Sequence, residues 1–335
     1  MLLRRKLKSA TLITTTLITT IGSMFSGSTL AGATMPFGNL NKGALNDSDL
    51  AFVGANVMNP SKGTTIADAT ILVSQGNIVR IQPDTQNIPA NYAVVDVQDK
   101  WVLPGLIDGH IHLAQSGSAF TRPDTINATK IMPYEKDQQW LLENTEDILE
   151  DYLKHGITTV YDLGGPSEYL SHYQKVASSS IAPDIYAAGT LLSPMAIPQL
   201  SLNGNTFTQV TNAEEALAMV RKQLALNTNM IKIVWSQETG LSTEQLYDLF
   251  RPAILLAHKN NRVVAVHVED LANAKMAIKA GGNILVHGVM NDHVDDEFIA
   301  LMRKHSVTYM PTLSAYSHYF ELFKNELAFT AFEKA

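Results

Sequence analysis

The sequence predicts an α/β fold in which a small all-β unit precedes a parallel βα array. From about residue 101, short apolar strands alternate with amphipathic helices, a pattern typical of parallel sheets covered by helices. Before that point, β-branched runs are separated by turn residues. No glycine-rich phosphate loop follows the first apolar strand of the array, so a dinucleotide-binding sheet is disfavoured.

The N-terminal segment has the features of an export signal. Four basic residues lie within the first eight positions, and no further charge follows until Lys42. After the basic residues comes a moderately apolar, threonine-containing stretch, which ends in small residues at 31–33. A retained anchor is disfavoured because a membrane span needs about 20 predominantly apolar residues. We therefore expect residues 1–33 to be a cleaved signal peptide and the protein to be exported, to a periplasm.

The all-β unit comes next. Its β-branched runs lie at residues 52–57, 69–73, 77–81 and 93–97. Gly63, Gly76 and Pro83 separate these runs as turn residues.

The βα array contains seven candidate strands, at residues 102–107, 158–161, 184–188, 230–234, 263–268, 283–286 and 307–310. Candidate helices between them lie at 140–154, 213–226, 243–259, 271–280 and 295–304. Right-handed crossovers allow either an open doubly wound sheet or a closed barrel. A (β/α)8 barrel needs eight strands, one more than this pattern supplies.

Composition limits the chemistry. The 335 residues include 25 Lys and Arg against 32 Asp and Glu, so the formal net charge is −7, which disfavours binding to a nucleic-acid backbone. The absence of cysteine excludes disulfides, iron–sulfur clusters, cysteine-ligated zinc and a cysteine nucleophile. Any metal must then be bound mainly by histidines and carboxylates.

Four histidines follow apolar runs. His110 and His112 end the first strand of the array and, at positions i and i+2, point to the same side. His267 and His287 each follow a further candidate strand. A lone strand-end histidine is more often structural or solvent-facing, but four at the carboxyl ends of one array predict a metal site, where barrels place their active sites.

Lys232 lies inside the apolar run 230–235. A buried lysine is costly unless it is paired or modified. It could instead extend its amine to solvent or form a salt bridge, or it could be a reactive amine at the mouth of a barrel. Together with the four histidines it could hold two metals bridged by hydroxide.

These segments resemble the amidohydrolase superfamily, and within it the imidazolonepropionase-related, dipeptidase-like branch. The likeness lies in residues 100–112, 156–165, 231–233, 266–267, 280–288 and 311–313, and covers roughly 47–313. It implies a TIM-like (β/α)8 barrel, with seven of eight strands present, and the N-terminal half of a small β-sandwich. The domains would then be 34–100 for the sandwich part and 101–335 for the incomplete barrel.

The resemblance also implies roles. His110 and His112 would bind one metal, and His267 and His287 a second. Lys232, carboxylated by carbon dioxide, would bridge them as a carbamate. Zinc is the expected metal, although such ligands also accept Mn, Co or Ni. A bridging hydroxide would cleave the C–N bond of a small amide, dipeptide or N-acyl amino acid.

Two alternatives remain open at this stage. The first is a mononuclear deaminase or cyclic amidase of the same superfamily. The second is a truncated chain with little or no activity. The family carries an Asp after strand eight, where it serves as metal ligand and general base. No Asp follows residues 311–313 here, so we expect the 335-residue chain to be a truncated form that hydrolyses amides poorly or not at all.

Substrate contacts are the least defined feature. Tyr161, Trp235 and Ser236 lie near strand ends and could line a pocket, although packing is the alternative role for the two aromatic residues. The polar loop 192–207 could cover the site or be an ordinary surface loop. The sequence predicts no stable membrane span after signal cleavage and leaves the oligomeric state open, a homo-oligomer included.

Overall fold

The computed structural model describes residues 49–83, 87–117, 121–124, 127–179, 182–201 and 204–314. The predicted signal peptide lies outside these ranges. The chain forms two compact units. The first contains the described parts of 49–108, 144–160 and 174–185, and the second those of 109–143, 161–173 and 186–314. The domain boundaries drawn from the sequence stay a prediction.

The N-terminal sheet contains five strands. They are β1 (Leu50–Asn59), β2 (Thr64–Ser74), β3 (Asn77–Gln82), β4 (Ala93–Asp96) and β5 (Trp101–Val102). The order is β3-β2-β1-β4, with β5 also paired to β1. The antiparallel β1–β2 pair places Phe52 opposite Ile71, and both are buried in the core of this sheet. The four β-branched runs that the sequence shows in this region are therefore strands.

The remaining strands form two sheets. A three-stranded sheet has the order β6 (Leu106–Ile111), β7 (Ile157–Asp162) and β8 (Asp184–Ala187). A six-stranded sheet consists of β9 (Leu191–Ser193), β10 (Phe207–Gln209), β11 (Met230–Val234), β12 (Val263–His267), β13 (Ile284–Val286) and β14 (Thr308–Met310). Its order is β10-β9-β11-β12-β13-β14, and every pairing is parallel.

All seven predicted strands of the array exist, but the first one is shifted. The sequence predicted 102–107, whereas the long strand is β6, Leu106–Ile111. Pro104 cannot donate to a strand ladder and lies between β5 and β6. The shift places His110 inside β6 and His112 directly after it. Strands β9 and β10, which pair with each other, lie at the two ends of the segment 192–207, which was predicted to be a loop.

The described helices are α1 (Tyr134–Glu143), α2 (Thr145–Lys154), α3 (Leu170–Ala177), α4 (Ala213–Ala225), α5 (Thr243–Lys259), α6 (Leu271–Ala280) and α7 (Asp296–His305). The predicted helix 140–154 is divided at Asn144, whose backbone is not helical. Asparagine competes for backbone hydrogen bonds and so favours helix ends. None of the described helices has the length and apolar character needed to cross a bilayer.

The two faces of strand β11 pack into different hydrophobic clusters of the second unit. In β11, Ile231 and Ile233 face one way and pack with residues of α5 and α6 such as Phe250 and Ile278. Met230, the residue before Ile231, belongs to a smaller cluster with Ala265, Ile284 and Val286 on the opposite face. Because side chains alternate along a strand, Lys232 shares this second face with Met230. The prediction of an α/β fold with parallel strands and helices between them is confirmed.

Candidate metal centre

His110 and His112 lie close together at the end of β6. Their Nε2 atoms are 3.3 Å apart, and their rings meet edge to face with centroids separated by 5.2 Å. Two nitrogens that each lie 2.0–2.1 Å from a tetrahedral zinc ion are about 3.3–3.4 Å apart. The observed separation therefore fits two ligands of one metal without rearrangement.

The ring of His112 is oriented by a backbone carbonyl. Its Nδ1 lies 2.7 Å from the Gly164 oxygen, which can only accept, so Nδ1 carries the proton and Nε2 keeps its lone pair. The Gly164 amide in turn donates to the buried Asp162 carboxylate at 3.2 Å. Burial raises the pKa of Asp162 to about 7. This chain from Asp162 through Gly164 sets both the tautomer and the orientation of His112.

His267 and His287 supply the other half of the site. His267 ends β12 and His287 follows β13, and their ring centroids are 4.5 Å apart. The His287 ring also lies 5.0 Å from that of His110, which joins the two halves. Simple alternation would place His287 on the face opposite Val286. Its backbone φ of 75° interrupts the alternation and lets the ring meet the other histidines.

Lys232 is fully buried, with only 1% of its surface exposed. Burial lowers its pKa to about 7, so a large fraction of the amine is neutral near pH 7. Its charge also contributes to the lowered pKa of all four histidines. Of the roles considered from the sequence, the structure disfavours an amine extended to solvent.

The four histidines are all neutral at pH 7. Burial is the largest cause for each, followed for His110 and His267 by the Lys232 charge. The pKa falls to about 2 for His110, about 4 for His112 and about 3 for His267, and it is lowered further for His287. Metal ions bind the neutral imidazole, so these nitrogens are in the form that coordination requires.

One further carboxylate belongs to this site and was missed in the sequence. Glu269 Oε2 lies 3.9 Å from His267 Nε2, and its carboxylate groups with His267 and His287 through ligand atoms within 4.8 Å of one another. The available signal was its position two residues after His267. That spacing, as in the pair His110 and His112, places two side chains on one side of an extended chain.

The three predicted substrate-contact residues are placed differently from one another. Tyr161 stacks on Tyr186, with centroids 5.1 Å apart, and packs against the smaller cluster that contains Met230. Ser236 is buried, and its side-chain oxygen accepts from the Glu238 amide in the turn after β11. Their contact with substrate stays a prediction.

Trp235 belongs to the larger hydrophobic core cluster. Its indole is fully buried, donates to Asn273 at 2.9 Å and contacts the Phe250 ring. Trp235 faces the same side of the sheet as Ile231 and Ile233, so it packs between the sheet and its helices. The structure therefore places Trp235 in the packing between the sheet and its helices, and its contact with substrate stays a prediction.

The structure brings together five residues predicted from separate parts of the sequence: His110, His112, Lys232, His267 and His287. Each lies in a parallel strand or directly after its carboxyl end, which is where barrels of this type carry their active sites. Four neutral imidazoles, a buried amine and a carboxylate form a donor set suited to divalent metal ions. Fold and site together define an α/β protein with a candidate metal centre at the strand ends.

Comparison with known proteins places this architecture in a family. Residues 101–327 match the amidohydrolase family, and the chain belongs to it. It is 31% identical over 147 residues to a dihydroorotase from Syntrophobacter fumaroxidans, covering 39% of this chain and 33% of that protein. It is 27% identical over 263 residues to an imidazolonepropionase from Klebsiella pneumoniae, covering 70% of this chain and 60% of that protein.

A solved structure shares the fold. The structure of a proposed prolidase from Bifidobacterium longum aligns with a TM-score of 0.56 and 27% identity, covering 77% of this chain and 57% of that one. The chain spans 33% to 60% of the length of these three proteins. The resemblance to the amidohydrolase superfamily that the motifs indicate is thereby confirmed.

Proposed function

We propose that this protein is a metal-dependent hydrolase that cleaves the C–N bond of small amides, dipeptides or N-acyl amino acids. The observation that carries the proposal is the convergence of four neutral histidines on the buried amine of Lys232. Membership of the amidohydrolase family supports the same class of reaction. Similarity to a proposed prolidase favours a dipeptide among these substrates.

We assign the metal ligands from the resemblance to the amidohydrolase superfamily. His110 and His112 would hold one divalent ion, and His267 and His287 a second. Lys232, carboxylated by carbon dioxide, would bridge the two ions as a carbamate, and zinc is the metal we expect. When bound, such ions lower the pKa of water and polarise a substrate carbonyl.

The residues of this chain prepare the site in three ways. Burial keeps the imidazoles deprotonated, so each offers a lone pair at neutral pH. The Gly164 carbonyl fixes the tautomer of His112, and the Thr312 hydroxyl lies 3.2 Å from Nδ1 of His287. A partly neutral Lys232 amine is the nucleophilic form that adds to carbon dioxide.

A second candidate is a mononuclear cyclic amidase or deaminase. The match to an imidazolonepropionase over 70% of this chain favours it. In that case Lys232 would stay unmodified and one metal would suffice. Metal stoichiometry therefore separates the two candidates.

The test is metal analysis combined with a substrate panel. Protein loaded with Zn²⁺ in bicarbonate buffer should hold two equivalents, and ¹³C-bicarbonate should give a carbamate signal by NMR. The Lys232→Ala variant should lose that signal and at least one equivalent. Dipeptides, N-acyl amino acids and cyclic amides would then be assayed side by side. One equivalent of metal with no carbamate signal would exclude the binuclear proposal.

A further inference from the structure

We infer that Glu269 is a third side-chain ligand of the metal held by His267 and His287, so that this half of the site binds a divalent cation without the Lys232 carbamate. The inference rests on the proposed metal centre but not on the bridge that the proposal assigns to Lys232. It also predicts an order of loading, in which the Glu269 half fills first when carbon dioxide is scarce.

The distances suit a shared ion. His267 Nε2 and Glu269 Oε2 are 3.9 Å apart, too long for a hydrogen bond between them. Two ligand atoms that each lie 2.0–2.2 Å from a tetrahedral zinc ion are about 3.3–3.6 Å apart, so this pair has to close by only about 0.3–0.6 Å to share one ion. A nitrogen of His287 lies in the same group, within 4.8 Å of the other two atoms. A small side-chain closure then brings all three donors onto one cation.

The backbone around Glu269 is held in place on both sides. The Val268 amide donates to the Val286 carbonyl at 3.3 Å, and the Met290 amide donates to the Glu269 carbonyl at 2.8 Å. The next residue, Asp270, caps α6 through a 2.9 Å bond from the Asn273 amide. Glu269 therefore extends from a short, fixed turn, and little backbone entropy is lost when its carboxylate binds an ion.

The Asp270 end of this turn is anchored to the core. Asn273 donates to the second Asp270 oxygen at 2.8 Å and accepts from the Trp235 indole at 2.9 Å. Both carboxylate oxygens of Asp270 are thus engaged in capping and in this network. Asp270 is accordingly committed to structure, and Glu269 is the carboxylate of this turn that groups with the histidines.

The donor set has the right chemistry and access. Two histidines and one glutamate form a set that catalytic zinc adopts, and it leaves a position for water or substrate. The side chains of His267 and Glu269 are 27% and 28% exposed, so solvent and ions can reach them. The carboxylate also supplies negative charge that the imidazoles lack. When a cation leaves water and binds among neutral donors, it loses favourable hydration. The negative charge of the carboxylate offsets part of that loss.

The experiment measures Co²⁺ binding by the purified full chain in carbon-dioxide-depleted buffer. Equilibrium dialysis gives the stoichiometry and Kd, and visible absorption reports the coordination. The wild-type chain should bind one equivalent, and Glu269→Gln, which keeps the size but removes the charge, should bind at least tenfold more weakly with an altered spectrum. Glu214→Gln, a change at an exposed position in the first turn of α4, should match the wild type.

Two further variants separate this inference from the proposed function. Lys232→Ala should keep the one equivalent, because the bridge is not needed there, and its loss would overturn the inference. Unchanged affinity and spectrum in a folded Glu269→Gln variant would overturn it as well. Should circular dichroism show that this variant is unfolded, Glu269→Asp replaces it, and binding equal to wild type then counts against Glu269. The proposed carbamate bridge is tested separately. It would be contradicted if the Lys232→Ala variant bound two equivalents of metal in bicarbonate buffer.

Discussion

His287 Nδ1 lies 3.2 Å from the Thr312 hydroxyl, and both residues have positive backbone φ, 75° and 46°. They follow β13 and β14, which are neighbours in the parallel sheet, and the His287 amide donates to the Met310 carbonyl at 2.9 Å. A β-branched threonine in this region is strained, at a cost on the order of 1–3 kcal/mol. Strain of this kind is found at functional sites, and here it lies beside a histidine of the candidate metal centre.

Removing the Thr312 hydroxyl should therefore weaken metal binding. We expect Thr312→Val to raise the Kd for Zn²⁺ by roughly tenfold, because the partner that orients a metal-binding histidine is lost. Valine keeps the β-branched shape, so the strain of the positive φ remains and only the hydroxyl changes. Thr312→Ser retains the hydroxyl and should bind zinc like the wild type. Equal Zn²⁺ affinity in the Thr312→Val and Thr312→Ser variants would contradict an orienting role for the Thr312 hydroxyl.

The metal-free protein should lose stability steeply as the pH falls from 7 to 5. Burial lowers the pKa of the four site histidines, so below about 6.5 the unfolded chain binds protons that the folded chain does not. The free energy of unfolding then falls with decreasing pH, by up to about 1.4 kcal/mol per pH unit for each histidine. Asp162 opposes this trend. Burial raises its pKa to about 7, so its contribution to the free energy of unfolding declines as the pH rises towards 7.

Denaturant titrations in EDTA at several pH values measure this slope. The His267→Gln variant should have a shallower slope, since one of the four groups is gone. The His305→Gln variant, at an exposed position at the end of α7, should keep the wild-type slope. A flat profile between pH 5 and 7 in the wild-type chain would show that the histidines are not buried in their neutral form.

Replacing Lys232 should stabilise the metal-free protein while impairing the metal centre. Burial lowers the Lys232 pKa from 10.5 to about 7, so the folded state disfavours the charged amine that the unfolded chain retains. The cost is largest at pH 7 and below and declines as the pH rises to 10.5. We expect Lys232→Met to raise the free energy of unfolding at pH 7 by a few kcal/mol, roughly. Calorimetry in carbon-dioxide-depleted EDTA buffer measures the gain, which the exposed Lys304→Met should not show.

Gly164 should not tolerate a side chain. Its φ is 132°, and an added Cβ would come 2.7 Å from Cγ of Leu191. We expect Gly164→Ala to lower the free energy of unfolding by roughly 2–4 kcal/mol and to weaken zinc binding, since the Gly164 carbonyl orients His112. Gly240 also has a positive φ but has open space around it, so Gly240→Ala isolates the backbone cost of about 1–2 kcal/mol. A Gly164→Ala protein as stable as Gly240→Ala would refute the steric argument.

Trp235 should matter for stability and not for substrate affinity. Trp235→Phe removes the hydrogen bond to Asn273 and leaves a gap beside Phe250, so we expect a loss of about 1–3 kcal/mol in the free energy of unfolding. KM for any substrate found in the panel should stay unchanged. Trp140→Phe, at an exposed position of α1, is the control for a tryptophan change. A raised KM without a loss of stability would restore Trp235 as a substrate contact.

Much of the site could be predicted because its residues follow apolar runs. His110, His267 and His287 stand out in the sequence for this reason, and parallel strands end at a common edge. Lys232 stands out because a lysine in an apolar strand is costly. Glu269 carried a weaker signal, since a carboxylate two residues after a histidine, in the turn before a helix, resembles an ordinary helix cap such as Asp270.

The sequence by itself determined the class of fold, the order of the strands along the chain and the residue types available for metal binding. It did so because alternating apolar periodicity and strand-end histidines are local patterns. Only the tertiary structure decided which faces meet. The positive φ of His287, the carbonyl of Gly164 and the outward packing of Trp235 depend on neighbours that are distant in sequence. A ring oriented through such contacts cannot be inferred from its own segment, because the partner that fixes it lies on another strand.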